Sequence, residues 1–212
     1  MTRQLLLVLL VFAAVSVVAQ ENKIAEQPKI DVSKMHDALP DKEFTAKSVD
    51  TSFVTRDGER VLRQEIVLPA TADQVWEAVS TSAGLRGWVA PVTDVEMKTG
   101  GHYYTNYRVG SKIGDPGTIY NSVLAYVPQQ MVAIHVKLGT PPFPEGVASA
   151  DRLNAILQIQ SLDEGHVRVS ETMVGWQNGD EWDRVYKFFQ TGNAYTLGQL
   201  LKRFTVGPRQ WK

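Results

Sequence analysis

The sequence predicts an α+β fold in which a curved antiparallel sheet packs against one long C-terminal helix. Three observations predict this arrangement. The middle of the chain alternates apolar and polar residues in short runs, turn signals separate these runs, and a long stretch with helical periodicity follows them. Short strands joined by turns are typical of an antiparallel sheet, and one long helix buries its apolar side against such a sheet without a second domain.

The composition is that of an ordinary globular protein and excludes several chemistries. The chain has 212 residues, of which 43% are hydrophobic and 21% are charged. Its 22 basic and 23 acidic residues nearly balance, so we expect no nucleic-acid partner and no attraction to an anionic membrane. The chain has no cysteine, which excludes disulfides, thiol nucleophiles, iron–sulfur clusters and cysteine zinc sites.

Residues 1–19 are typical of a secretory signal peptide. Arg3 precedes an unbroken hydrophobic run at residues 5–15, and small residues lead up to Ala19. The run is shorter than the roughly 20 apolar residues that span a bilayer, so we favour cleavage after Ala19 over a retained membrane anchor. We therefore expect a periplasmic or secreted protein without a membrane span after cleavage.

The mature chain is divided into a tether, one domain and a short tail. Residues 20–42 mix charged side chains with two prolines and lack apolar periodicity, so we interpret them as a polar tether. The domain is predicted over residues 43–207, and the tail is residues 208–212. The strands are predicted at residues 48–55, 60–68, 92–97, 102–109, 118–127, 131–138, 152–162 and 166–174.

Two short helices are predicted between the second and third strands. Thr71 and Gln74 form the pattern of a capping box at the start of the first helix, and Leu85 lies in the second. Most of the strands are joined by turns that contain glycine, such as Asp57-Gly58. The Pro-rich segment 139–150 is different, because a connection of this length is more typical of the lining of a functional opening.

The long helix is predicted to begin at Asp180, whose side chain would cap it. Its inward face is apolar at both ends but carries Gly192, Asn193 and Thr196 in its middle. A buried amide needs hydrogen-bond partners and glycine weakens a helix by about 1 kcal/mol, so these residues are unusual in a filled core. We interpret them as the wall of a cavity. The alternative is that Asn193 finds its partners within the core or in water.

Motifs in chain order resemble the START-like, or SRPBCC, superfamily. They are the Pro-Ala strand end before Val75-Trp76, Trp88 with Pro91, Gly100-Gly101, Tyr126-Val127-Pro128 and Gly175-Trp176. The resemblance covers about residues 60–204 and is nearest to the branch named after the activator of heat-shock-protein-90 ATPase. It implies a helix-grip fold with a deep cavity between the sheet and the long helix. The superfamily uses this cavity to bind lipids, sterols, polyketides and other apolar molecules, and a few branches catalyse cyclisation or hydrolysis.

Glu171 is the candidate residue for acid–base chemistry. Alternation in the strand at residues 166–174 places it on the inward face with Val169 and Met173. Burial of a carboxyl group raises its pKa, so Glu171 could act as a general acid or base with His135 as its partner, or anchor a ligand by a hydrogen bond. The alternatives are a buried pair with a cation or with His135, and a strand bulge that turns Glu171 outward.

The candidate ligand-binding residues are aromatic and small polar side chains, which small-molecule pockets usually combine. They are Trp88, Tyr103, Tyr107, Tyr126, Phe143, Trp176, Trp182, Phe189, Asn193 and Thr196. The four histidines show no close metal-ligand spacing, so neither a metal nor another cofactor is expected.

We therefore favour a protein that binds a small, mostly apolar molecule. We do not expect co-chaperone activity, because an exported chain would not meet a cytosolic ATP-driven partner. One alternative is a cyclase- or hydrolase-like enzyme that uses Glu171, which requires a second polar group within hydrogen-bond reach. Another is a protein-binding module that uses segment 139–150, with a collapsed cavity and an exposed apolar patch at Phe143. No protein partner can be named from the sequence.

Overall fold

The computed structural model describes residues 39–137 and 152–212. It confirms the predicted α+β fold. The helices are α1 (Lys42–Thr45), α2 (Ala72–Ser80), α3 (Ser82–Arg86) and α4 (Asp180–Thr205). The strands are β1 (Val49–Asp50), β2 (Phe53–Val54), β3 (Arg60–Leu68), β4 (Val92–Val95), β5 (His102–Asn106), β6 (Thr118–Val127), β7 (Met131–His135), β8 (Asn154–Ser161) and β9 (Val167–Val174). In this part of the chain, no helix combines the length and apolar character that crossing a membrane requires.

The described strands form one antiparallel sheet in the order β1-β3-β9-β8-β7-β6-β5-β4, with β2 also paired to β3. β9, the last of these strands, pairs with β3, so strands from the two ends of the domain lie side by side. A shift in register between Val123 and Ala125 interrupts the pairing of β6 with β7. Such irregularities bend a strand and increase its twist, which helps the sheet to curve around α4.

Two hydrophobic cores hold α4 against the sheet, one at each end of the helix. The Leu200 core packs Leu197 and Leu200 of α4 against α2, α3, β3 and β9, and all of its central side chains are buried. The Trp182 core packs Trp182 and Val185 of α4 against Leu62, Leu153 and Met173. The helix is therefore anchored at both ends.

Segments at both ends of the described chain pack against these elements. A Cβ atom at Gly198 of α4 would lie 2.8 Å from the backbone nitrogen of Thr45, so α1 packs directly on the helix. Nζ of Lys202 donates a hydrogen bond to Asp41 over 2.6 Å. Residues 39–42, assigned to the tether from the sequence, are thus in part packed against α4.

The tail at residues 208–212 also packs on the domain. Gly207, with φ of 123°, turns the chain back after α4. The backbone N–H of Arg209 then donates to the carbonyl of Gly87 over 2.7 Å, and Nε1 of Trp211 donates to the carbonyl of Arg86 over 2.6 Å. These contacts hold the tail against the end of α3.

Capping residues in the sequence predict how α2 and α4 begin. The capping box is confirmed, since Thr71 Oγ1 accepts from the Gln74 N–H and Gln74 Oε1 accepts from the Thr71 N–H. The prediction that Asp180 caps α4 is wrong. Gly179 is the N-cap residue, its carbonyl accepts from the Asp183 N–H, and Asp180 is the first residue of the helix.

The strand predicted at residues 102–109 is shorter in the structure. It ends at Asn106, because the side chain of Asn106 donates to Thr118 Oγ1 over 3.2 Å and accepts from the Arg108 N–H over 3.0 Å. These side-chain bonds turn the backbone away from the sheet. The strand predicted at residues 48–55 is present as the separate two-residue strands β1 and β2.

Candidate functional site

A cavity of about 260 Å³ lies between the middle of α4 and the sheet. It separates the Leu200 core from the Trp182 core. Residues of β5 to β9 form one wall, and Phe188, Phe189, Gly192, Asn193 and Thr196 of α4 form the other. Because side chains alternate along a strand, each strand contributes every second residue to this wall. Most of the sheet wall is apolar, and its members include Ile119, Val132, Ile134, Ala155, Leu157 and Met173.

Small and polar residues of α4 lie opposite this apolar wall. Asn193 is buried, and its Nδ2 donates to the sulfur of Met173 over 3.2 Å. The hydroxyl of Thr196 donates to the carbonyl of Gly192 within the helix over 2.9 Å. Because sulfur is a weak acceptor, the amide of Asn193 retains capacity to bind a stronger acceptor in the cavity.

Glu171 projects from the middle of β9 into the cavity. Its carboxyl group lies inside the protein, and burial raises its pKa to about 7. β9 keeps a regular register through Glu171 with both neighbours, which rules out the bulge considered from the sequence. Among the described residues, no side chain forms a hydrogen bond or ion pair with its carboxylate. The carboxyl group is therefore neutral for a large fraction of molecules near pH 7.

Gln64 is the neighbour of Glu171 on β3. Nε2 of Gln64 donates to the carbonyl of Gln190 in α4 over 2.9 Å. Its Oε1 is buried, and within residues 39–137 and 152–212 it has no hydrogen-bond partner. Directly opposed residues on antiparallel strands have their Cβ atoms about 5 Å apart. A second polar side chain, which does not itself line the cavity, therefore lies beside Glu171 on the neighbouring strand.

Two tyrosines add hydroxyl groups to the cavity. The hydroxyl of Tyr103 donates to the carbonyl of Val79 over 2.8 Å, and burial raises its pKa above the usual range. Burial also raises the pKa of Tyr107 to about 12, with a further contribution from Glu171. Both hydroxyls are therefore neutral hydrogen-bonding groups at physiological pH.

His135 does not lie with Glu171. On β7, Val132 and Ile134 line the cavity, so the alternation of the strand directs His135 to the opposite face of the sheet. There its Nδ1 lies 3.1 Å from Oδ1 of Asn154. The structure thus does not form the acid–base pair expected from the sequence.

The other predicted site residues divide into two groups. Trp88, Tyr103, Tyr107, Phe189, Asn193 and Thr196 line the cavity. Tyr126 stacks on Trp76 with ring centroids 6.3 Å apart and is not part of the lining. Trp176 and Trp182 pack edge to face in the Trp182 core, which needs their area for stability. Phe143 and segment 139–150 lie outside the described residues.

A family match identifies the domain. Residues 69–205 match the family described as activator of Hsp90 ATPase homolog 1-like protein, which is more than half of the chain. The chain belongs to this family. The resemblance seen in the sequence is thereby confirmed. No match was found among curated proteins.

Solved structures share this fold at low sequence identity. The Aha1 dimer from Colwellia psychrerythraea has 16% identity and a TM-score of 0.52, over 69% of this chain and 97% of that chain. A protein from Mesorhizobium loti has 17% identity and a TM-score of 0.51, over 68% and 98%. DynU16, from the dynemicin biosynthetic locus, has 15% identity and a TM-score of 0.52, over 70% and 48%. These likenesses show the fold of the family.

The family match ends before the tail, and the tail supplies a residue that the sequence analysis missed. Arg209 lines the cavity together with Tyr195, Gln199 and Leu39, which were not predicted either. Arg209 is beyond the periodic pattern of α4, so no face could be assigned to it. The signal that was available is Gly207-Pro208, which stops a helix and turns the chain back. Among the described residues, no three His, Asp or Glu side chains are arranged to hold a metal ion.

Proposed function

We propose that this protein binds a small, mostly apolar molecule in the cavity between the sheet and α4. The observation that carries this proposal is that α4 is tightly packed at both ends but borders about 260 Å³ of space in its middle. Unfilled space in a core costs stability, and a bound molecule that fills it stabilises the folded state.

The size and chemistry of the lining support a small ligand. Sites for drug-sized ligands occupy about 300–1,000 Å³ and combine apolar walls with a few polar groups. This cavity is slightly smaller, and Glu171, Tyr107 and Asn193 supply polar groups within an apolar surface. The expected ligand therefore fits mainly by apolar contact and is oriented by one or two hydrogen bonds.

We also propose that the protein acts in the periplasm or outside the cell. The support is the sequence of residues 1–19, whose basic start, short apolar run and small final residues are typical of a signal peptide. The mass of the protein purified from its own source tests this proposal. A mature chain that begins at Gln20 is expected, and a retained N-terminus in the membrane fraction would contradict it.

Native mass spectrometry of that protein, followed by solvent extraction, tests the binding function. A discrete apolar molecule is expected in the extract. Thr196→Phe puts a large ring into the cavity and is expected to lose the molecule, whereas Lys187→Phe, at an exposed position on the same helix, is expected to retain it. An empty protein that no apolar compound stabilises would contradict the proposal, as would equal retention by both variants.

An enzyme that uses Glu171 is the second candidate, because a carboxyl group with a pKa of about 7 in a cavity suits proton transfer near neutral pH. The described residues offer no hydrogen-bonded partner for this group, so we rank catalysis below binding. Incubation of the extracted molecule with the protein distinguishes the two functions. Binding predicts no product and retention of the ligand by Glu171→Gln, whereas catalysis predicts a product that this variant does not form. A protein-binding role for segment 139–150 gains no support from the described residues.

A further inference from the structure

Arg209 brings a positive charge to the edge of the cavity. Arg209 lines the cavity and is half-buried, although it belongs to the tail rather than to the sheet or to α4. Among the described residues, the other cation in the lining is Lys137, which is exposed to solvent. Of these two lining cations Arg209 is the more buried, and Glu171 is the acidic residue among the described lining residues.

The side chain of Arg209 is held in one position by several contacts. Its guanidinium lies over the ring of Trp211 at 4.2 Å from the centroid. Its Nη1 donates to the hydroxyl of Tyr195 over 3.2 Å and to Oε1 of Gln199 over 3.4 Å. The backbone bond from Arg209 to Gly87 fixes the start of the side chain. A guanidinium ordered in this way loses little entropy when it binds a ligand.

The charge of Arg209 is not neutralised by a direct ion pair within residues 39–137 and 152–212. Both of its side-chain hydrogen bonds go to neutral oxygens. Asp41 is near enough to interact electrostatically with Arg209 and Tyr195. The hydrogen bonds of its carboxylate, however, come from Lys202 over 2.6 Å and from Gln199 over 3.1 Å. The guanidinium of Arg209 therefore has no direct carboxylate partner among these residues and can pair with an anion in the cavity.

We propose that Arg209 binds the carboxylate of the molecule in the cavity, which makes the ligand a small apolar monocarboxylate. This proposal rests on the proposed binding function. The planar guanidinium matches a carboxylate through two parallel hydrogen bonds, and one cation balances one negative charge. Nη2 and Nε of Arg209 make no hydrogen bond to any other described residue, which leaves donors for the ligand.

The geometry also orients the ligand. The apolar body lies against the apolar sheet wall at Leu157 and Met173, while the carboxylate points toward Arg209 at the edge. In this orientation the carboxylate of the ligand is directed away from Glu171, which lies on the sheet wall of the cavity. Because the cavity is small, a ligand whose head reaches its edge can be longer than the enclosed space alone would hold.

Octanoic acid and 1-octanol are the probes for this proposal, because they have the same chain length and differ in charge. Binding is measured at pH 6 by isothermal titration calorimetry, since the probe acid is ionised there and Glu171 is mostly neutral. The proteins compared are the wild type, Arg209→Gln and Arg209→Lys. Arg56→Gln, in the exposed turn before β3, is the matched control.

We expect Arg209→Gln to weaken octanoate binding about tenfold or more, because a charge-assisted hydrogen bond is lost, and to leave octanol binding unchanged. Arg209→Lys retains the charge without the planar fork and is expected to weaken octanoate binding less than Arg209→Gln does. Arg56→Gln is expected to change neither affinity.

Other results overturn the proposal in distinguishable ways. If octanol binds and Arg209→Gln does not weaken octanoate, the anion site is wrong while the apolar cavity stands. If Arg209→Gln loses both probes, Arg209 maintains the cavity rather than binding an anion, and the proposal is also wrong. If neither probe binds to the wild type, the proposed binding function fails, and the assignment of Arg209 fails with it.

Discussion

The two ends of α4 differ from its middle. At the ends, Trp182 and Leu200 are buried in continuous apolar cores. In the middle, Gly192 and Thr196 line a cavity, and the amide of Asn193 donates to the sulfur of Met173. The ends fix the helix on the sheet, so the middle is free to carry residues that contribute little to stability. Substitutions along a single helix can therefore separate stability from ligand binding.

The largest expected loss of stability comes from removing a buried side chain from the core at one end of α4. Leu200→Ala removes a side chain that is fully buried, and we expect it to lower the free energy of unfolding by about 3 kcal/mol. Thr196→Ala, one turn earlier at the cavity, is expected to change it by less than about 1 kcal/mol, because no filled core is opened. Urea unfolding measures both. Similar losses from the two variants would mean that the middle of the helix is packed like its ends.

The next largest effect on stability comes from the carboxyl group of Glu171, which faces the middle of α4. The folded protein raises the pKa of Glu171 from 4.5 to about 7, so between these values the folded state keeps a proton that the unfolded state releases. The free energy of unfolding therefore falls as the pH rises through this range. Each pKa unit corresponds to about 1.4 kcal/mol, so the loss is at most about 3 kcal/mol.

Glu171→Gln removes this loss of stability, because glutamine does not ionise. We expect the variant to be more stable than the wild type by about 2 kcal/mol at pH 8 and equally stable at pH 4, where the carboxyl group is protonated in both states. Urea unfolding across this pH range is the measurement, and Glu59→Gln, at an exposed turn, is the control. A gain that does not depend on pH would show that burial of the charge is not its cause.

A smaller effect is expected from two glycines of α4. An alanine Cβ at Gly198 would lie 2.8 to 2.9 Å from backbone atoms of Phe44 and Thr45, so α1 must move. We expect Gly198→Ala to destabilise the protein by about 1–2 kcal/mol despite the better helix propensity of alanine. Gly192→Ala, beside the cavity, is expected to stabilise it by up to about 1 kcal/mol. Thermal unfolding measures the change in stability for both variants. A change of the same sign in both would contradict the contrast between the end and the middle of α4.

The smallest effect is expected at the partly exposed contact between Asp41 and Lys202. Burial alone would raise the pKa of Asp41, but hydrogen bonds from Lys202 and Gln199 outweigh it and lower the pKa below 3.8. The stabilisation is therefore present at neutral pH and lost as the pH falls below that value. We expect Asp41→Asn to cost less than about 1 kcal/mol at pH 7 and nothing at pH 2. Asp57→Asn is the control in urea unfolding, and a larger loss at pH 2 would contradict the prediction.

The sequence predicted those parts of the site that follow a periodic pattern. Alternation along one strand correctly directs Glu171 inward, because the period of two is a property of the backbone itself. Spacing along α4 likewise brings Phe189, Asn193 and Thr196 to one side of the helix. These predictions hold because neighbours within one element fix the direction of each side chain.

The parts that the sequence analysis missed depend on contacts between distant segments. Arg209 follows Gly207, and its position is set by Gly87 and Trp211 rather than by any period. Asp41 lies in a charged stretch that resembles a tether, yet it pairs with Lys202. His135 differs from these two residues, because the alternation of β7 by itself places it on the face away from the cavity. The long-range contacts of Arg209 and Asp41 cannot be derived from local spacing.

The pairing of segments from the two ends of the domain constrains the order in which the domain folds. β3 pairs with β9, and Asp41 pairs with Lys202 across 161 positions of the chain. Contacts between such distant positions form slowly, because a long loop must close before they contribute any stability. β3 must therefore wait for β9 to be synthesised, and the space beneath α4 is enclosed only after this last helix has packed on the sheet.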